Sequence, residues 1–235
     1  MIQKVKAELK RRASPHRKKI TEKFFRMGPG EYAEGDVFIG VSVPECRRIA
    51  NQFSEMSFKD HRALLSSKIH EERLVSLLAL VEQFKTAEPS RQTEIFDFYL
   101  KQAKRVNNWD LVDLSADKIV GRYLLKRGKK KLYQLVQSKI LWERRIAVVS
   151  TLYFIREGSF QVTLDLSQRL FKEPHDLMHK ACGWMLREVG KKDTAVLRGF
   201  LNRFCTVMPR TMLRYAIERF PKAEKKKYME GRVSL

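Results

Sequence analysis

The sequence predicts an all-α protein, an α-solenoid of about six two-helix repeats, and three observations carry that expectation. After Pro44 apolar residues recur at helical spacing almost without interruption, as in Leu74, Leu77, Leu78, Val81 and Phe84, which stand at i, i+3, i+4, i+7 and i+10. Breaks fall at Ser57, Ile69-His70, Glu88-Pro89, Asn107-Asn108, Gly128, Ser138, Gly158, Pro174, Gly190, Pro209 and Pro221. They leave segments of roughly 10 to 18 residues, ordinary helix lengths. Finally, a basic residue stands just ahead of an apolar stripe at Arg73, Arg145, Lys180 and Arg214, with spacings of 72, 35 and 34. If 72 is two units of 36, the missing member falls at Trp109. Periods of this size belong to helix-pair repeats, in which one helix of each pair lines the concave face. The helices carrying Arg73, Trp109, Arg145, Lys180 and Arg214 are then neighbours, and the concave groove is basic.

Taken in order, residues 2–12 form a basic helix. Ser14-Pro15 then supplies an N-cap and a proline at the first helical position for a second helix, which ends near Met27 and is stopped by Gly28-Pro29-Gly30. Residues 31–43 are the longest non-helical stretch, with a strand-like run over 37–43. One strand cannot make a sheet, and no Gly-Lys-Ser/Thr comes after the glycines, so a phosphate loop is excluded. Pro44 opens the helical array. No linker or shift in composition divides that array, and a single domain over residues 1–235 is expected.

Lys and Arg number 48 against 27 Asp and Glu, a formal charge of +21. That field attracts polyanions, either nucleic acid or an anionic membrane surface. The longest apolar run, 146–155, contains Ser150 and Thr151 and falls short of the roughly 18 residues of a spanning helix. Residues 1–12 are charged throughout, with no secretory core, so an intracellular, cytoplasmic protein is expected. Cys46, Cys182 and Cys205 form no even set and no CxxC pair, and read as reduced thiols filling the core.

The most informative stretch is Val-Asn-Asn-Trp-Asp-Leu-Val-Asp at 106–113. Asn107 or Asn108 serves as N-cap, Asp110 suits the first turn, and Leu111, Val112, Leu114, Ile119 and Val120 supply a buried side. Trp109 and Asp113, four residues apart, share a helix face. His175, His179 and Cys182 have the spacing of zinc ligands, but a fourth ligand is missing and no metal is expected. Glu22, Glu71, Glu72 and Asp117 are expected on solvated faces. Gly183, inside a helix, costs about 1 kcal/mol relative to Ala, which implies a close backbone approach.

Asn-Trp-Asp-Leu-Val-Asp at 108–113, Leu-Trp-Glu-Arg-Arg-Ile-Ala at 141–147 and Lys-Ala-Cys-Gly-Trp-Met-Leu-Arg-Glu at 180–188 resemble the AlkD-type DNA alkylation repair family. Val-Pro-Glu-Cys-Arg-Arg at 43–48 and Met-Pro-Arg-Thr-Met-Leu-Arg-Tyr-Ala-Ile at 208–217 resemble its flanking helices, so the similarity runs over essentially the whole chain. The resemblance implies HEAT-like repeats and a monomeric, cofactor-free DNA glycosylase. Its substrates would be cationic alkylated purines, 7-methylguanine and 3-methyladenine, in duplex DNA, and its product would enter base excision repair in the nucleoid. Trp109, Asp113 and Trp184 fall on the family's cleft residues. Arg145 falls on its groove arginine, with Arg144 one residue away as the alternative, and Arg73, Lys180, Arg187 and Arg214 are the further cations expected against DNA. The sequence departs from the family at Asn108, where active members carry a second aromatic.

The chemistry asked of these residues is simple. An alkylated purine is already a cationic leaving group, so no general acid is required, and cleavage develops positive charge on the sugar. A carboxylate and aromatic faces stabilise such a charge. Two other readings use the same scaffold: a non-catalytic binder of branched or distorted DNA, and a solenoid scaffold for acidic protein partners.

Overall fold

The structure is a computed structural model that describes residues 1–232. Its described residues are helical, with no strand. The only extended pairing among them is a single bridge between Val37 and Ile69, where the strand-like run ends without a partner strand. Two compact units divide the chain where the sequence shows no boundary, one over Met1–Ser115 and the other from Ala116 onward.

In the first unit, α1 (Ile2–Arg12) buries Val5 and Leu9 and packs on α3 (Val43–Gln52). Between them lies α2 (Pro15–Phe24), capped by the Ser14 side chain on the N–H of Arg17. It ends at Phe25, which is extended, and so stops short of Met27. A capping box of Ser57 and Asp60 opens α4 (Phe58–Leu65), and prolines open both α3 and α6 (Pro89–Lys101). Every residue of α5 (His70–Thr86) from 70 to 81 is buried, because α3, α4, α6 and α7 (Trp109–Asp113) all pack around it.

The second unit begins with a π-turn at Asp117–Gly121 and a short α8 (Arg122–Leu124), then α9 (Lys130–Leu135) and α10 (Leu141–Arg156). Next come α11 (Gln161–Arg169), α12 (Asp176–Lys192), α13 (Thr194–Phe204), α14 (Arg210–Ala216) and α15 (Lys222–Glu230). Alternate helices stack on one another while the intervening ones cover them. In the first unit α3, α5 and α7 form the row, and in the second α10, α12 and α14 do, with α11 and α13 laid against α12. This is the packing of helix-pair repeats. The sequence recurrence marks this row: Arg73 and Trp109 lie in the first turns of α5 and α7, and Arg145, Lys180 and Arg214 each at the fifth position of α10, α12 and α14.

Gly183 shows why the row needs a small residue. A Cβ there would lie 2.5 Å from the Met212 carbonyl oxygen and 2.5 Å from the Tyr215 Cβ, so α12 and α14 meet at backbone distance. Two expectations are corrected. Gly190 lies inside α12, which runs on to Lys192 and is ended by Asp193, whose side chain caps the next helix. Glu71, Glu72 and Asp117 are buried instead of solvated, each with partners: the N–H groups of Ile39, Gly40 and Val41 for Glu71, Lys6 for Glu72, and Lys118 and Arg156 for Asp117. All three cysteines are buried and free, as expected.

Candidate functional site

Asn108 decides how α7 starts. Its side-chain oxygen accepts the Trp109 N–H at 2.8 Å, while its amide nitrogen donates to Asp36 at 3.1 Å, so the residue is both cap and tether. The helix lasts little more than one turn, since Leu114 already leaves it and stands only half-buried. One turn suffices to set Trp109 and Asp113 at i and i+4, and both are half-buried.

Behind Trp109 lies a buried ionic cluster that the helical periodicity did not indicate. His70 presents Nε2 to Asp110 at 2.7 Å and Nδ1 to Asp36 at 3.3 Å, and Asp36 also takes the Arg73 guanidinium at 2.6 Å. Both ring nitrogens face carboxylates, an arrangement satisfied by the imidazolium. Burial works against that charge, but the Asp110 carboxylate and its hydrogen bond, with help from Asp36, outweigh burial and push the His70 pKa up to about 9. Burial likewise opposes the Asp36 carboxylate. It is overcome by the His70 hydrogen bond, the Arg73 charge and the Asn108 amide, which hold its pKa below the usual range.

An aromatic layer covers this cluster. The His70 ring is 4.6 Å from Phe38 and 5.4 Å from Phe25, and Phe25 in turn stacks on Trp109 at 5.1 Å with planes 14° apart. Phe24 meets Trp109 edge-on at 5.8 Å. The indole is therefore held by packing on one face and by its helix cap at the backbone. Glu71, the next residue along α5, accepts the N–H groups of Ile39, Gly40 and Val41 at 3.0, 2.8 and 3.3 Å, which fixes the loop that carries Phe38. Gly40 is required in that loop: its φ is +80°, and a Cβ would lie 2.3 Å from the Ser14 carbonyl.

Arg73 is thus a correction to the expected row of phosphate-binding cations. It is 3% exposed and tied to Asp36 and to the carbonyls of Ser67 and Lys68, because the 28–43 loop returns over it. In the second unit Arg145 is 5% exposed and donates to the Leu177 carbonyl at 2.7 Å, and Arg144 donates to the Ser138 carbonyl and pairs with Glu173. Arg187 pairs with Glu218. Arg214 is exposed, and Lys180 is partly exposed and paired with Asp176 across one turn. Trp184 is half-buried, and its indole N–H donates to Glu188 at 3.2 Å. His175 accepts the Leu177 N–H, His179 bonds the Glu173 carbonyl, and Cys182 is buried. Among the described residues no group of three His, Cys, Asp or Glu side chains is arranged to hold a metal ion.

The stacked rows of helices define a helical-repeat protein, in which the braced α7 turn presents an aromatic ring and a carboxylate one turn apart. The chain belongs to the family of DNA alkylation repair enzymes, whose model it matches over residues 5–220. Its fold is that of a solved structure described as a predicted DNA alkylation repair enzyme from Enterococcus faecalis. That structure shares 15% identity and a TM-score of 0.69, with 90% of this chain and 98% of the other covered. No curated protein matches the chain's sequence.

Proposed function

We propose that this member of the DNA alkylation repair family is a glycosylase that hydrolyses the N-glycosidic bond of cationic alkylated purines, 7-methylguanine and 3-methyladenine, in duplex DNA. The observation that carries this reading is the pairing of Trp109 and Asp113 one turn apart on α7, with the indole braced by Phe25 and the helix pinned through Asn108 and Asp110. A site held this rigidly suits electrostatic stabilisation, which depends on groups that need not reorganise as charge develops.

In the proposed reaction the glycosidic bond breaks toward the base, which leaves neutral because it carried the positive charge. The sugar becomes oxocarbenium-like, and water adds to its C1′ and gives up a proton to solvent, leaving a C1′ hydroxyl. Asp113 stabilises the sugar cation by its charge and orients the incoming water. Trp109 offers its π-face, a contact worth about 0.5 to 2 kcal/mol. Trp184 is assigned the same aromatic role by its place in the family motif. The charge of +21 supplies attraction to the backbone, for which Lys180 and Arg214 are the accessible members of the cationic series.

The test is release of free 7-methylguanine from a defined methylated duplex under single-turnover conditions with saturating protein. Release by the wild type supports the proposal. Tight binding of distorted duplex with no base released would assign the protein to non-catalytic DNA binding.

A further inference from the structure

Helix α2 buries none of its own residues, yet it is neither uniformly polar nor uniformly charged. Phe24 is 68% exposed and Ile20, one turn before it, is 56% exposed, so the two make an apolar stripe on one face. Arg17, Lys19 and Lys23 surround the stripe on the same helix, all exposed, and Arg26 lies just beyond it. A cleft of about 440 Å³ lies between the helix and the returning loop, lined by Ile20, Arg17, His16 and Gly40 among others. The helix is anchored mainly from its ends: the Ser14 N–H donates to the Ile39 carbonyl at 3.1 Å, and Phe25 turns inward to join Phe38 and Trp109. Of two consecutive phenylalanines, one closes the core and the other is left in water with its edge against Trp109.

We propose that Phe24 is a nucleobase-stacking residue, carried by α2 as a cationic arm, that enters DNA at a distorted or abasic position beside the nucleotide whose sugar Trp109 faces. The inference rests on the DNA-binding part of the function proposed above and deepens it. Every base offers a π-face, so an exposed ring among cations is suited to a strand whose phosphates the cations hold. Apolar side chains that enter the duplex act at steps that are cheap to unstack, and a damaged or missing base is such a step. A lipid surface is the less suitable occupant, because two apolar side chains bury too little area to hold a helix in an interface. The edge-on contact with Trp109, with planes 67° apart, sets the mostly exposed Phe24 ring beside the aromatic layer.

The experiment uses the full chain and two duplexes, one intact and one with a single tetrahydrofuran abasic analogue, together with anionic phosphatidylserine vesicles. Phe24→Ala, which removes an exposed ring and leaves the core intact, should weaken binding to the abasic duplex about ten-fold and change intact-duplex affinity less than two-fold. Phe24→Trp should restore the lost affinity, and Phe24→Leu, which keeps an apolar side chain without a π-face, should not. Equal affinity of Phe24→Ala and wild type for the abasic duplex overturns the inference, as does full rescue by Phe24→Leu. Loss of vesicle binding by Phe24→Ala with DNA binding untouched also overturns it and assigns the arm to a lipid surface. A wild type that releases no 7-methylguanine but shows the Phe24 effect counts against the glycosylase reading alone and supports the stacking role.

Discussion

The imidazole Nε2 of His70 lies 2.7 Å from the Oδ2 of Asp110, the residue directly after Trp109. Through this contact the first turn of α5 is tied to the first turn of α7, across 40 residues of sequence.

Stability should therefore fall as the medium becomes alkaline. His70 has its folded pKa raised to about 9 from 6.5, so its contribution is complete below pH 6.5 and is lost as pH rises through about 9. At about 1.36 kcal/mol per unit the ceiling is about 3 kcal/mol. His61 acts in the opposite direction. Burial depresses its pKa to about 4, so its contribution is present above pH 6.5 and lost on acidification toward pH 4. Chemical denaturation between pH 5 and 10 should show a maximum near neutrality, and His70→Asn should flatten the alkaline side. An unchanged alkaline slope in that variant would remove His70 from the account.

Glu71→Ala should cost about 2 to 4 kcal/mol, because it strands three backbone donors at about 1 kcal/mol or more each. Glu71→Gln keeps one acceptor oxygen and should fall between the variant and wild type. Urea midpoints measure the loss, and limited proteolysis should show new cleavage within 28–43. Resistance there equal to wild type would mean that the loop is held by other contacts.

Asp113→Asn keeps size and hydrogen-bonding capacity but removes the charge. If the carboxylate acts on the sugar cation, the single-turnover rate should drop by roughly two orders of magnitude, about 3 kcal/mol, with DNA affinity near wild type. Trp109→Ala and Trp184→Ala should lose less in rate and more in binding, since a ring also packs against the nucleotide before reaction. An Asp113→Asn protein that reacts at the wild-type rate sinks the catalytic assignment.

Binding to undamaged duplex should depend steeply on salt. Contacts to about six phosphates give a log–log slope near −5, and Lys180→Ala or Arg214→Ala should each reduce its magnitude by about one. A slope near zero between low and moderate salt would be incompatible with a phosphate-binding surface of this charge.

The helices were legible because their boundaries are local. Pro15, Pro44, Pro89, Pro209 and Pro221 each stand at a helix start or directly before one, and Ser57, where the sequence places a break, caps α4. The recurrence at Arg73, Trp109, Arg145, Lys180 and Arg214 found the helices that stack in each unit, since the period of a repeat survives in sequence even when its contacts do not. What that recurrence could not show is which cations stay in solvent. Arg73 pairs with Asp36, 37 residues earlier, in a loop that has no periodic signal of its own. Glu71 and Glu72 looked solvated for the same reason: a charge at the start of a helix is ordinarily exposed, and only the returning chain buries it. The one local hint was the run His70-Glu71-Glu72-Arg73, four ionisable residues opening a helix that is otherwise apolar. The early end of α7 was hidden as well, because Leu114, Ile119 and Val120 continue an apolar pattern through a turn and a π-turn.

The three amides of Ile39, Gly40 and Val41 converge on a single Glu71 carboxylate. Successive N–H groups aimed at one point form a nest, the concavity with which loops elsewhere capture phosphate. Here the anion is part of the chain and sits at the N-terminal end of α5, where the helix dipole also favours negative charge. The loop is therefore an anion receptor already filled from within, and these three N–H groups are not open to an outside phosphate.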